Sequence, residues 1–211
     1  MSSQDRPEHR TVPTPRGPAE VELTLPTGGA PVALLMLGHG AGGSVDAPDL
    51  TAVRQAALAA GVAVARVTQP YRVAGRKTPP PATHLDQAWT AVVDALREEP
   101  ALATLPLIVG GRSSGARVAC RTAATVGAVG VVALAFPLHP PGRPERSRAD
   151  ELPEAVPTLV VNGDRDPFGV PTPRPGVTVV VHPGERHDLK RDPAAVAAVV
   201  GEFLRRHGWS R

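Results

Sequence analysis

Two periods alternate along this chain. The run at 32–37 is apolar and ends at Gly38, as a strand buried on both faces does. Apolar runs at 62–67, 107–109, 129–136, 158–161 and 177–181 predict further strands. Residues 21–25 instead alternate apolar and polar side chains, the pattern of an edge strand. Between these runs, apolar positions recur every three or four residues. Leu50, Val53, Ala57 and Leu58 mark one helix face, with Asp49 as its cap. Leu85, Ala88, Trp89, Val92, Val93 and Leu96 mark a second, and a third helix is expected from about Ser114. The last helix opens with Asp192 and Pro193, a cap followed by proline at the first helical position, and carries Val196, Val199, Val200, Phe203 and Leu204. Strands and helices in turn predict an α/β fold: one mostly parallel sheet with helices on both faces. In such sheets functional groups gather at the carboxyl ends of the strands.

The 211 residues suffice for one well-buried domain. They divide into a polar, proline-rich tail at 1–17, expected to be disordered or loosely attached, and a single domain at 18–211. The stretch 70–81 is a proline-rich loop. The segment 137–157 is short, charged and broken by Pro140, Pro141, Pro144 and Pro153, so no helical cap domain or lid is expected.

Aromatic residues are only 3% of the chain, too few for base- or sugar-stacking platforms. The net charge of +3 rests almost wholly on arginines scattered among acids, so nucleic acid is not expected as a partner. Cys120 is the sole cysteine, which excludes an intrachain disulfide; it is expected inside a helix, buried. The first residues lack the apolar core of a secretory signal, and no apolar run reaches membrane-span length. The expectation is a cytoplasmic protein with no membrane partner and a small-molecule substrate. No histidine and carboxylate set has metal-ligand spacing such as HExxH, so neither metal nor cofactor is expected.

Candidate chemistry sits at four strand ends. In Gly111-Arg112-Ser113-Ser114-Gly115, a strand turns into a helix around G-x-S-x-G. Glycines permit a turn too tight for side chains, the serine hydroxyl is exposed, and the helix N-terminus favours a developing anion. Ser113 is therefore the candidate nucleophile; Ser114 fails the frame, its flanks being Arg112 and Ala116. Acyl transfer also needs two backbone N–H groups aimed at the oxyanion. Ser114 supplies one, and the loop Gly38-His39-Gly40-Ala41-Gly42-Gly43 the other, from Ala41 with Gly40 or Gly42 as alternatives. His39, at the strand end, suits a structural imidazole bonded to loop backbone.

The third end, Asn162-Gly163-Asp164-Arg165-Asp166, offers two acids. Asp166 lies further into the loop and is the choice for orienting a histidine, while Asp164 suits capping the turn. The fourth, after the strand at 177–181, offers His182 and His187; His187, on the loop, is chosen as base. That completes the chain order Ser, Asp, His. His9, His84 and His207 are assigned no role.

The segments at 37–43, 70–81, 110–119 and 136–145, with Gly163-Asp164-Arg165-Asp166 and Glu185-Arg186-His187-Asp188-Leu189, resemble the small α/β-hydrolases related to dienelactone hydrolase. The resemblance is greatest to a branch of predicted hydrolases that includes a testis-expressed hydrolase-like protein and a domain of a chromatin-complex subunit. It runs from about Val21 onward and implies a single-domain α/β-hydrolase fold with the first strand missing. It also implies Ser113, Asp166 and His187 as a triad. The branch often carries Met where this chain has Ser114, a change that leaves the backbone N–H in place.

Tyr71, Arg72, Arg112 and His139 are the candidate substrate contacts. Arg72, Arg76 and Lys77 on one loop, with Arg143, Arg146 and Arg148 on another, either form a cationic rim favouring acyl groups with a carboxylate or phosphate, or are solvated loop charge. Two classes of function stay open: a serine esterase or thioesterase, and a binding or scaffold module that keeps the fold without useful activity. Acyl transfer to an acceptor other than water is a variant of the first.

Overall fold

The computed structural model describes residues 7–211. Its eight strands are β1 (Glu8–Val12), β2 (Ala19–Thr24), β3 (Ala33–Gly38), β4 (Val62–Thr68), β5 (Leu107–Arg112), β6 (Gly130–Leu134), β7 (Thr158–Gly163) and β8 (Val177–His182). They form one sheet in the order β1-β2-β4-β3-β5-β6-β7-β8, in which β2 alone runs against the rest. The helices are α1 (Pro48–Ala59), α2 (Pro70–Val73), α3 (Ala82–Arg97), α4 (Ser114–Thr122) and α5 (Pro193–Arg206).

Successive residues of each central strand feed opposite faces. Leu34 and Met36 of β3 join the core with Trp89 of α3 and Val118 of α4. Leu35 and Leu37 join the core with Val53 of α1 and Val200 of α5. The apolar residues of β4, β5 and β6 divide in the same way, which is why these strands are largely apolar without alternation; Arg66 of β4 is the buried exception, paired with Glu22 of β2. Each fully buried Leu or Val contributes about 1.5–3 kcal/mol of transfer free energy, and the two layers hold the sheet rigid between them. Among the described residues there is no additional domain, and no helix is long and apolar enough to cross a membrane.

Four expectations need correction. Residues 8–12, expected in a loose tail, form β1; residues 1–6 of that tail lie outside the described residues. β1 completes the sheet that the resemblance leaves one strand short, and it makes β2 an interior strand rather than an edge. Its signal is weak because Val12 is its one buried side chain; it is held by antiparallel pairing with β2, with Arg10 also paired to Glu99 beyond α3. Asp49 does not cap α1: Pro48 takes the first helical position after Ala47, and the Asp49 side chain turns inward, wholly buried. The loop at 70–81 opens with a short helix, α2, started by Pro70.

The segment 137–157 holds only a 3-10 turn, Ala149–Glu151. Glu151 pairs with Arg117 and Arg121 of α4, and Arg174 donates to the carbonyls of Ala149 at 2.9 Å and Leu152 at 2.7 Å. The segment is thus drawn down onto α4, and the site has no lid built from it.

Candidate active site

β5 ends at Arg112, and the chain turns at Ser113 straight into α4. Ser113 has φ 54° and ψ −109°, a conformation that costs a non-glycine residue about 1–3 kcal/mol. The two flanking glycines make the turn fit. A methyl on Gly111 would sit 2.5 Å from the Gly38 carbonyl oxygen, and one on Gly115 would overlap the same atom. The elbow is therefore pressed against the end of β3. The Ser113 N–H donates to Leu134 O at 2.9 Å, and its carbonyl accepts from Arg117 N–H at 3.1 Å. The side chain is left to project at the carboxyl edge of the sheet.

His187 arrives from the loop after β8. Its Nε2 lies 2.8 Å from Ser113 Oγ and its Nδ1 2.8 Å from Asp166 Oδ2. Nδ1–H donates to the carboxylate, which leaves Nε2 to accept from the serine hydroxyl. The Asp166 side chain is wholly buried, whereas that of His187 is 20% exposed. Asp166 Oδ1 accepts the Phe168 N–H at 2.9 Å, and Oδ2 accepts Asn162 Nδ2–H at 3.3 Å. The Phe168 ring meets the imidazole edge-on, with centroids 4.3 Å apart. His182, the other histidine of this end, lies at the β8 terminus paired with Gly163.

Several supports escaped the sequence reading. Buried Asn162 spans two strand ends: its Oδ1 accepts Phe136 N–H at 2.9 Å and its Nδ2 donates to Phe136 O at 3.0 Å. Buried Glu185 joins the loops that carry Asp166 and His187; its Oε1 accepts Asp192 N–H at 2.7 Å and its carbonyl accepts Arg165 N–H at 3.0 Å. Asp164, by contrast, caps as expected, accepting Gly184 N–H at 2.7 Å across the same gap. A polar residue closing an apolar run, as Asn162 does, was the one available signal.

The glycine-rich loop packs beside the elbow, where a Gly40 methyl would stand 3.6 Å from Ser113 Cβ. His39 is buried and structural, as expected: Nδ1–H donates to Gly40 O at 2.8 Å, and Nε2 accepts Gln69 N–H at 3.0 Å. Burial holds its basicity below that of a free imidazole, with the Arg72 charge acting in the same direction. Ser114 opens α4 and borders one small cavity with His39 and Tyr71.

The four candidate substrate contacts fare differently. Tyr71 is buried, and its hydroxyl donates to Ala41 O at 2.5 Å, which buttresses the glycine-rich loop. Arg72 likewise serves backbone, donating to Gly43 O and Arg76 O, each at 3.1 Å. Arg112 is engaged by Asp49 and by the His187 carbonyl. The reason is shared: each lies beside glycine-rich or irregular backbone whose carbonyls need donors. His139 stays at the site's edge, its Nδ1–H on Pro140 O at 2.9 Å and its N–H on Phe168 O at 3.1 Å. Of the rim cations, Arg76, Lys77, Arg143 and Arg146 are exposed, and Arg148 leans on Pro137 O.

Residues 31–191 match the model of a family described as alpha/beta hydrolase domain. No curated protein matches the chain. Among solved structures, a serine hydrolase without lid from Xanthomonas campestris is 22% identical, over 96% of this chain and 95% of its own, with a TM-score of 0.76. A dienelactone hydrolase from Anabaena variabilis is 20% identical, over 99% and 100%, with a TM-score of 0.77. Est1E from Butyrivibrio proteoclasticus, solved with ferulic acid bound, is 17% identical, over 93% and 98%, also with a TM-score of 0.77. These likenesses are of fold. With the family match spanning most of its length, the chain belongs to the alpha/beta hydrolase family.

Proposed function

We propose that the protein is a serine hydrolase that cleaves a small, soluble ester or thioester through an acyl-enzyme. The observation that carries this is the unbroken chain Ser113 Oγ, His187 Nε2, His187 Nδ1, Asp166 Oδ2, with both links at 2.8 Å. His187 removes the Ser113 proton as Oγ attacks the carbonyl carbon, and Asp166 stabilises the imidazolium. The N–H groups of Ala41 and Ser114 receive the oxyanion. The tetrahedral species collapses, and the imidazolium gives its proton to the departing alcohol or thiol. Water then attacks the acyl group with His187 again as base, which returns Ser113 and releases the acid.

A segment 137–157 drawn onto α4 supports small substrates, as does a fold shared with a hydrolase described as lidless. Placement in the predicted-hydrolase branch named above, and a cytoplasmic site of action, belong to the same proposal. The test is a fluorophosphonate probe with a panel of p-nitrophenyl esters and thioesters. Labelling of the wild type and none of Ser113→Ala is expected, as is a rate that rises smoothly through the micellar transition. A wild type that neither labels nor turns over any ester would refute the reading and favour a scaffold.

A further inference from the structure

One charged pair beside the candidate base takes no part in those steps. Asp49, in the first turn of α1, has a side chain with no solvent exposure, and its Oδ2 lies 3.2 Å from Arg112 Nε. Neither carboxylate oxygen, nor Arg112 Nε, finds a well-aligned hydrogen bond. As a device for stability this is poor, since well-packed apolar side chains commonly do as well as a buried ion pair or better. The other end of the guanidinium is better employed. Arg112 Nη2 donates to the His187 carbonyl at 3.0 Å, and Nη1 faces the oxyanion loop, 3.5 Å from where a Gly40 methyl would stand. Arg112 also precedes Ser113 in the chain. One rigid planar group thus lies between buried Asp49, the glycine-rich loop and the backbone that carries the imidazole.

We propose that Arg112, anchored by Asp49, is a positioning residue that fixes the His187 backbone so that its ring reaches Ser113 and Asp166 together. The proposal rests on the hydrolase reading above. His187 comes from an irregular loop, which neither sheet nor helix places. A charge-assisted bond to its own carbonyl removes the slack, and a displacement near 1 Å can cost roughly 100-fold in rate. Asp49 keeps the guanidinium, 15% exposed, from swinging into solvent.

The pair also responds to pH. Burial, against the pull of Arg112, raises the Asp49 carboxyl to about 6. The charged groups facing it are Arg112 from β5 and Asp188 from the His187 loop; Asp188 is itself held by Lys190 at 2.9 Å. A carboxyl that binds its proton more tightly folded than unfolded favours the fold when protonated and weighs against it as pH climbs past about 6. Asp49→Asn is therefore expected to keep or raise Tm at pH 8 while slowing turnover, a combination that a merely structural role does not produce.

The experiment compares wild type, Asp49→Asn, Arg112→Met and Arg112→Lys in ester hydrolysis, fluorophosphonate labelling and the downfield NMR resonance of His187 Nδ1–H. Arg112→Met is expected to lower kcat about 30-fold with KM within about twofold, and to weaken or broaden the resonance. Arg112→Lys, which keeps charge but reaches one partner at a time, is expected to recover part of the rate. In Asp49→Asn the acid limb of kcat/KM becomes shallower than in wild type, because one titration is gone. If Arg112→Met does not fold, Asp49→Asn and Arg112→Lys decide alone. Rates, resonance and acid limb unchanged in the folded variants overturn the proposal. A wild type that does not hydrolyse or label overturns the hydrolase reading instead; the resonance still tests the positioning.

Discussion

The two halves of the candidate site are held by different means. The elbow at Ser113 is made by backbone against backbone: Gly111 and Gly115 let β5 and α4 close on Gly38 with no side chain between. The acid and base loops are made by side chains: Asn162, Asp164 and Glu185 each bond backbone N–H groups, and Phe168 braces the ring. The first construction is stiff and permits no extra atom. The second can be loosened one contact at a time. Errors in the elbow should therefore strike fold and chemistry together, whereas errors in the loops should strike chemistry first.

The largest expected effects probe the atoms the two halves bring together. Ser113→Ala and His187→Ala should each lower kcat by roughly 10⁴–10⁶-fold, with the unfolding midpoint little changed, because the groups act as one unit. Either variant turning over near the wild-type rate refutes the mechanism. If His182→Ala is inactive and His187→Ala active, the base has been misassigned. Next comes Gly115→Ala, whose methyl meets the Gly38 carbonyl. It should cost about 2–4 kcal/mol in urea unfolding and most of the activity with it. A stable but inactive Gly115→Ala would erase the contrast drawn above. Asn162→Ala should be milder in stability, about 1–3 kcal/mol from the Phe136 groups left unpaired, and should lower kcat about tenfold. Smallest is Asp192→Ala, at the far end of the His187 loop, where loss of the bond to Ala195 N–H should cost about 1 kcal/mol of unfolding free energy in urea.

The same contrast explains what could be read from the chain. The elbow is local: five consecutive residues carry its glycines and its serine, so a motif reveals it. The order of strands and helices is legible for a similar reason, each being a short-range period. The supports of the loops are long-range. Asn162 meets Phe136 26 positions away, and Arg112 meets the His187 carbonyl 75 positions away. No spacing announces such partners, so Arg112 reads as a substrate contact and Asp49 as a helix cap until the sheet brings them together. β1 is illegible because an outer strand with one buried side chain carries almost no hydrophobic signal.

The backbone of Ser113 also bears on how the protein can change over generations. At φ 54° every residue but glycine is under torsion, so Ser113→Gly should unfold at higher denaturant than Ser113→Ala. A lineage relieved of hydrolysis would gain stability from that single replacement, on the order of 1–3 kcal/mol. Serine at this torsion is thus the less stable of two readily reached alternatives, and drift alone would tend to erase it.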